Sequence, residues 1–185
     1  MKITTLSKLH DSWLAVVECA RTTINKEGSK EPSVKWKKKI LLAEHSPIRQ
    51  LMFRWKWEDL KSWVSIHYVR HKFGIEHYVG TQRTDRTGIN RDNKPQDSLV
   101  SHECLANAQT IINISRKRLC NCASKETREA WELVLKDLKK IEPELVEVCV
   151  PECVYRGFCP EIKSCGFAKT PEYFEWLSFY RKTNK

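Results

Sequence analysis

Between residues 51 and 57 the chain alternates without a break: Leu51, Phe53, Trp55 and Trp57 occupy every second position, with Arg54 and Lys56 between the rings. Successive side chains of a strand point to opposite faces, so the pattern predicts a half-buried strand with an apolar face and a cationic face. Residues 58–68 then take a helical period. Leu60, Trp63, Val64 and His67 share a face at offsets of three and four, and Asp59 is placed to cap the start. This strand–helix order predicts an α/β (α+β) fold with a mainly antiparallel sheet and helices packed against it. Trp55, Trp57 and Trp63 read as core before they read as base-stacking platforms, and His67 as a packed histidine.

The rest of the chain is consistent with a single domain. Residues 2–21 read as a strand and a helix with Leu14, Val16 and Val17 apolar, and residues 25–39 as a polar loop entering a helix. Pro47 pushes Ser46 out of helical geometry and turns the chain there. Residues 84–98 carry Asp, Asn, Gly, Pro and three arginines and predict a long exposed loop. Residues 105–120 and 126–141 predict two helices, the second with Ala130, Leu133, Val134 and Leu138 as its stripe and Pro143 just past its end. A last short helix is expected over residues 171–181. The organisation expected is a body of residues 1–150, with residues 151–185 a cysteine- and aromatic-rich tail packed on it.

The chain of 185 residues is 41% hydrophobic and 30% charged, which argues against wholesale disorder. Its formal net charge of +10 favours an anionic partner: nucleic acid, an anionic membrane surface or a phosphorylated small molecule. A solvated surface made basic for solubility is the alternative. No apolar run approaches the roughly 18 residues of a membrane span. Residues 1–20 lack the basic-then-apolar pattern of a secretory leader, so a cytoplasmic protein is expected. In that compartment the eight cysteines are thiols or metal ligands before they are disulfides. Cys149, Cys153, Cys159 and Cys165 are the candidates for a tetrahedral zinc site or an iron–sulfur cluster, against the plainer reading of packed thiols.

The residues richest in chemistry are Arg70-His71-Lys72, at the end of the helical pattern. Cations at a helix C-terminus complement its dipole, so the tripeptide alone says little. Its surroundings say more. Upstream stands Glu44-His45-Ser46-Pro47, and downstream Thr81-Gln82-Arg83. Together these resemble the signature of flavin-dependent thymidylate synthases, in which Arg-His-Arg precedes a Ser-x-Arg run and follows a His-Ser/Thr-Pro segment. Lys72 stands for the third arginine and Thr81 for the serine, with one extra residue between. The resemblance extends to Ala20-Arg21-Thr22, to Asn113-Ile114-Ser115-Arg116, to Asn121-Cys122-Ala123 and to Glu129-Ala130-Trp131-Glu132. Departures are specific. The family's central Asn-Glu pair reads His77-Tyr78, one arginine becomes Ala123 and another falls at Val134. Arg116, Arg118 and Arg128 are the candidate replacements.

The resemblance implies an enzyme that methylates dUMP to dTMP with FAD, taking carbon from methylenetetrahydrofolate and reducing power from NADPH. It also implies a homotetramer with its sites between subunits. By the same resemblance Ser46, Arg70, His71, Lys72 and Asn121 hold the flavin. Thr81 and Arg83, joined by Arg116 and Arg128, hold the nucleotide. The alternative is a catalytically altered member that grips a nucleotide or nucleic acid, or modifies a different pyrimidine nucleotide.

Overall fold

In the computed structural model, which describes residues 1–9, 12–28 and 30–182, the alternating segment lies in a four-stranded antiparallel sheet. Strands β1 (Lys2–Leu9), β2 (Met52–Lys61), β3 (Ile75–Val79) and β4 (Leu99–Asn107) pair in the order β1-β2-β4-β3. Phe53, Trp55 and Trp57 of β2 stand opposite Ala106, Cys104 and His102 of β4, and all six side chains are buried. Helix α3 (Ser62–Val69) follows β2 directly, and α5 (Ala108–Arg118) follows β4 directly. With α6 (Lys125–Leu138) they cover the aromatic face.

That face is held by rings, of which Trp57, Trp131 and Tyr68 also satisfy their polar atoms, whereas the buried Trp55 Nε1 has no hydrogen-bond partner among the described residues. Trp55 meets Trp57 and Trp131 edge-on at 5.6 and 5.8 Å, and Trp57 lies 4.6 Å from Tyr68. Trp57 Nε1 donates to the Ala130 carbonyl at 2.9 Å, Trp131 Nε1 to Ser115 Oγ at 2.9 Å and Tyr68 Oη to the Thr127 carbonyl at 2.6 Å. Each buried ring of this size removes on the order of 150–250 Å² from water, about 4–6 kcal/mol of transfer free energy before entropy is counted. The expected core role of Trp55 and Trp57 is therefore what the structure has, while Trp63 is only half-buried.

Among the described residues the remaining α-helices are α1 (Ser12–Thr22), α2 (Val34–Leu42), α4 (Thr84–Thr87), α7 (Pro143–Glu147), α8 (Glu152–Arg156) and α9 (Pro171–Lys182). Cys153, Val154, Tyr173 and Tyr180 from the last 35 residues join the same buried cluster as the sheet.

Three boundaries differ from the sequence reading. The strand runs on to Lys61, so residues 58–61 are not helical and Leu60 packs from β2. Asp59 does not cap α3. It sits at φ +56° where the β2–β4 register shifts between Trp57 and Leu60, a left-handed position that aspartate tolerates better than most residues. Residues 105–107 belong to β4 and not to the helix after it; Asn107 ends the strand and its side chain accepts from Thr110 N at 3.0 Å to cap α5. Strands β3 and β4 were not expected. The inward positions of β4 are Val100, His102, Cys104 and Ala106, so two polar residue types interrupt its apolar alternation.

Candidate functional site

The Arg70-His71-Lys72 tripeptide leaves the end of α3 and enters a loop that α5 holds from the other side. Thr110 Oγ1 donates to the Phe73 carbonyl at 2.7 Å, and Asn107 N donates to the Gly74 carbonyl at 3.1 Å. Gly74 has φ +69°, and a Cβ there would lie 2.5 Å from both Asn107 Nδ2 and Thr110 Oγ1. Only glycine fits that approach without displacing the cap of α5. The loop is thus set by the start of α5, while Arg118 at the other end of the same helix reaches its histidine.

Arg118 Nε donates to His71 Nε2 at 3.0 Å, and its Nη2 donates to the His67 carbonyl. The guanidinium also faces the Tyr68 ring at 5.9 Å. Burial, reinforced by the Arg118 charge and by His77, pushes the His71 pKa down to about 4. The imidazole is therefore neutral near pH 7. Because Arg118 can only donate, His71 Nε2 is the unprotonated nitrogen and Nδ1 carries the hydrogen. Arg70 and Lys72 flank His71 in the chain and are exposed, so the loop carries two cations beside one N–H donor. His67, expected as a packed histidine, is half-buried and bonds Thr127 Oγ1 through Nδ1 at 2.9 Å.

Beyond β3, a cleft of about 250 Å³ is lined by Ser65, Val69, Gly80, Gln82, Arg83 and Arg91 among others. Thr81 Oγ1 accepts from Arg83 N at 3.2 Å, which fixes the turn. The Arg83 fork is occupied by Asp85, with Nε and Nη2 donating to the two carboxylate oxygens at 3.0 and 2.8 Å. Both side chains are more than half exposed, so the pair is worth little to stability and yields readily to a competing anion.

The other expected residues lie in different hydrogen-bonded groups. Arg116 pairs with Glu44 and stacks 3.5 Å over the Tyr155 ring, an arrangement that fastens α5 to the turn before Ser46. Arg128 Nη1 donates to Asn121 Oδ1 at 3.0 Å, so these two candidates bind each other. Ser46 is exposed at the first position of the 3-10 turn Ser46–Gln50. Among the three candidate replacement arginines, Arg118 is the one at His71. Position, not residue type, decides this: Arg116 and Arg118 are two residues apart on one helix and point about 200° apart.

The four tail cysteines are not gathered as a metal site requires. Among the described residues they do not form a group of three ligand atoms within 4.8 Å of one another. Cys149 is buried against Ser115, and burial pushes its thiol up to about 12. Cys153 is buried, Cys159 half-buried and Cys165 exposed, where it lies beside Cys120 and Cys122. The reason is topological: Cys149 and Cys153 point into the core, whereas Cys165 lies on an exposed loop.

No protein-family model matches the chain. Over 63 residues, 34% of the chain, it is 41% identical to the flavin-dependent thymidylate synthase of Clostridium tetani (strain Massachusetts / E88). That stretch spans only 25% of the relative's length. The fold is similar to that of the flavin-dependent thymidylate synthase ThyX from Helicobacter pylori complexed with FAD and dUMP. The TM-score is 0.64 at 15% identity, covering 81% of this chain and 100% of that one. It is also similar to the UMP/dUMP methylase PolB from Streptomyces cacaoi bound with 5-Br dUMP. There the TM-score is 0.59 at 14% identity, over 85% of this chain and 96% of that one. At such identities the solved structures establish the fold.

Proposed function

From a chain that has the flavin-dependent thymidylate synthase fold and resembles that family in sequence, we propose flavin-dependent methylation of dUMP to dTMP, with methylenetetrahydrofolate and NADPH as cosubstrates. The observation that carries this reading is the Arg118–His71 contact, which holds a neutral imidazole between two exposed cations, Arg70 and Lys72.

This donor set fits a flavin. FAD carries an anionic diphosphate, and Arg70 and Lys72 supply positive charge where the C-terminus of α3 would otherwise repel it. His71 offers its Nδ1–H to a carbonyl or phosphate oxygen. Ser46 and Asn121 are the further flavin contacts that the family resemblance adds. When bound, FAD supplies the redox chemistry, and the chain's task is to position it, exclude water and supply charge. Arg83 grips the nucleotide phosphate after exchanging Asp85 for it, and Thr81 adds a hydroxyl donor. Arg91 faces the same cleft and strengthens its positive charge. Arg116 and Arg128 are engaged by Glu44 and Asn121, so they act on the nucleotide only if those contacts open.

The reading extends to a cytoplasmic homotetramer whose sites form between subunits. Among the described residues no helix is long and apolar enough to cross a membrane. Exposed Phe73, directly after the tripeptide and 91% accessible, is suited to contact with a second chain or a bound ring. The domain proposal remains one body of residues 1–150 with residues 151–185 packed on it.

The test is oxidation of NADPH that requires both FAD and dUMP, with dTMP identified as product. A second reading, a member that binds or modifies a different pyrimidine nucleotide, is favoured by one observation: the Arg83 fork is filled by Asp85. If dUMP binds and NADPH is not consumed, that second reading replaces the first.

A further inference from the structure

His102 and Cys104 are two residues apart on β4 and so point to the same face of the sheet. The register sets His77 of β3 directly opposite Cys104, and diagonal to His102. Three ligand-type side chains therefore meet on adjoining strands. His77 Nδ1 lies 2.9 Å from His102 Nε2, and Cys104 Sγ lies 3.4 Å from each of these nitrogens. His102 and Cys104 are fully buried and His77 is half-buried, which leaves one side of the group closer to solvent.

The outer nitrogens of both imidazoles are also engaged. His77 Nε2 is 2.8 Å from the His71 carbonyl, which can only accept, so this nitrogen is protonated and Nδ1 presents its lone pair to the cluster. His102 Nδ1 is 3.0 Å from Ser65 Oγ. A serine hydroxyl accepts as well as donates, so His102 is able to carry its proton there and turn the Nε2 lone pair inward. In that state two imidazole lone pairs converge with the Cys104 sulfur, and a cation that displaces the thiol proton would stabilise the arrangement.

We propose that His77, His102 and Cys104 form a binding site for a soft divalent transition metal of the zinc class. Two imidazoles and one thiolate are a donor set that such ions prefer over magnesium or calcium. Tetrahedral zinc with bonds of about 2.0–2.1 Å to nitrogen and 2.3 Å to sulfur sets its ligands roughly 3.3–3.6 Å apart. The three atoms need open only by a few tenths of an ångström to reach those edges. Ser65 and the His71 carbonyl are the outer partners that orient metal-bound imidazoles. Binding releases the Cys104 proton to solvent and leaves three protein ligands, with the fourth position open to water or another donor. The three ligands are distinct from the tail cysteines and from the residues proposed to hold flavin and nucleotide, but their outer partners border that site: Ser65 also lines the Arg83 cleft, and the His71 carbonyl belongs to the tripeptide loop. Through the His71 carbonyl the metal site ties the sheet to the loop that carries the tripeptide.

The experiment is a titration of the full chain, stripped with chelator, with Co²⁺ as an optical stand-in for zinc. Thiolate-to-cobalt charge transfer in the near ultraviolet, saturating at one metal ion per chain and displaced by Zn²⁺, is the expected result. Cys104→Ser should remove that band and His77→Gln should weaken binding at least tenfold. Ser65→Ala, a small change on α3 that leaves all three ligands, should weaken it about tenfold, the lower end for an outer partner. A Cys122→Ser, Cys165→Ser double variant should keep the band. Circular dichroism identifies variants that do not fold; if Cys104→Ser is one, His77→Gln and Ser65→Ala decide. Absence of a thiolate band in the parent chain overturns the proposal, as does its loss in the double variant or its full retention in folded His77→Gln. The readout does not depend on nucleotide methylation and stands or falls apart from it.

Discussion

Arg118 and His71, 47 residues apart in the chain, are joined by one hydrogen bond of 3.0 Å that fixes which histidine nitrogen is protonated. The bond spans from the end of α5 to the loop after α3. It couples the position of the tripeptide to the packing of a helix whose opposite end caps itself beneath the same loop. If this contact orients His71 for a flavin, Arg118→Met should keep the fold and weaken FAD binding by more than tenfold. A hydrogen bond from a charged group is worth about 1.5–3 kcal/mol. Flavin fluorescence quenching measures it, and unchanged affinity would remove Arg118 from the site. Arg70→Ala should show a loss of similar size, because its exposed side chain leaves stability little changed.

Asp85 competes with any anion for Arg83. Arg83→Lys keeps the charge but not the two-pronged fork, and should weaken dUMP binding by about 1–2 kcal/mol. Asp85→Asn should do the reverse and tighten dUMP binding several-fold by releasing the guanidinium. Calorimetry on both variants is decisive as a pair: if Asp85→Asn leaves dUMP affinity unaltered, Arg83 is not where the phosphate sits.

Gly74 and Gly88 both have positive φ, but their surroundings differ. A Cβ at Gly74 meets Asn107 and Thr110 at 2.5 Å, and one at Gly88 meets nothing within 4 Å. Gly88→Ala should therefore cost only backbone strain, about 1 kcal/mol. Gly74→Ala adds the displaced cap of α5 and should cost on the order of 2–4 kcal/mol. Urea unfolding midpoints compare them directly. Equal costs would mean that the loop and the start of α5 are not coupled.

The cysteines should separate by reactivity. Cys149 is buried and burial pushes its thiol up to about 12, so near pH 8 it stays protonated and unreactive. Cys165 is exposed. Brief iodoacetamide treatment of the native protein should label Cys165 and leave Cys149 and Cys104 intact until denaturant is added. Mass spectrometry of the peptides reads the order, and early labelling of Cys149 would contradict its place in the core.

Much was legible in the residues themselves. The alternation of Phe53, Trp55 and Trp57 determines a strand with a buried aromatic face because a period of two has one structural meaning at that length. Ala130, Val134 and Leu138 of the expected stripe likewise lie on the buried face of α6, whereas Leu133 is only half-buried and Trp131 and Leu135 complete that face. The Arg70-His71-Lys72 and Thr81-Gln82-Arg83 segments marked the loops that carry the candidate site. Tertiary structure decided the rest, since it depends on which surfaces meet. The β2–β4 pairing carried the strand through Asp59 and on to Lys61, against a helical period that was equally readable from Leu60 to His67. Strand β4 stayed hidden because two of its four inward residues are His102 and Cys104, whose burial is intelligible only once Ser65, His77 and Trp57 surround them. Arg116 and Arg118 are the same residue type two positions apart; about half a turn of the helix gives one to Glu44 and the other to His71. Sequence supplies the chemical groups and their local periods. Which groups stand within hydrogen-bond reach is set by the packing of helices on the sheet, and no local pattern contains it.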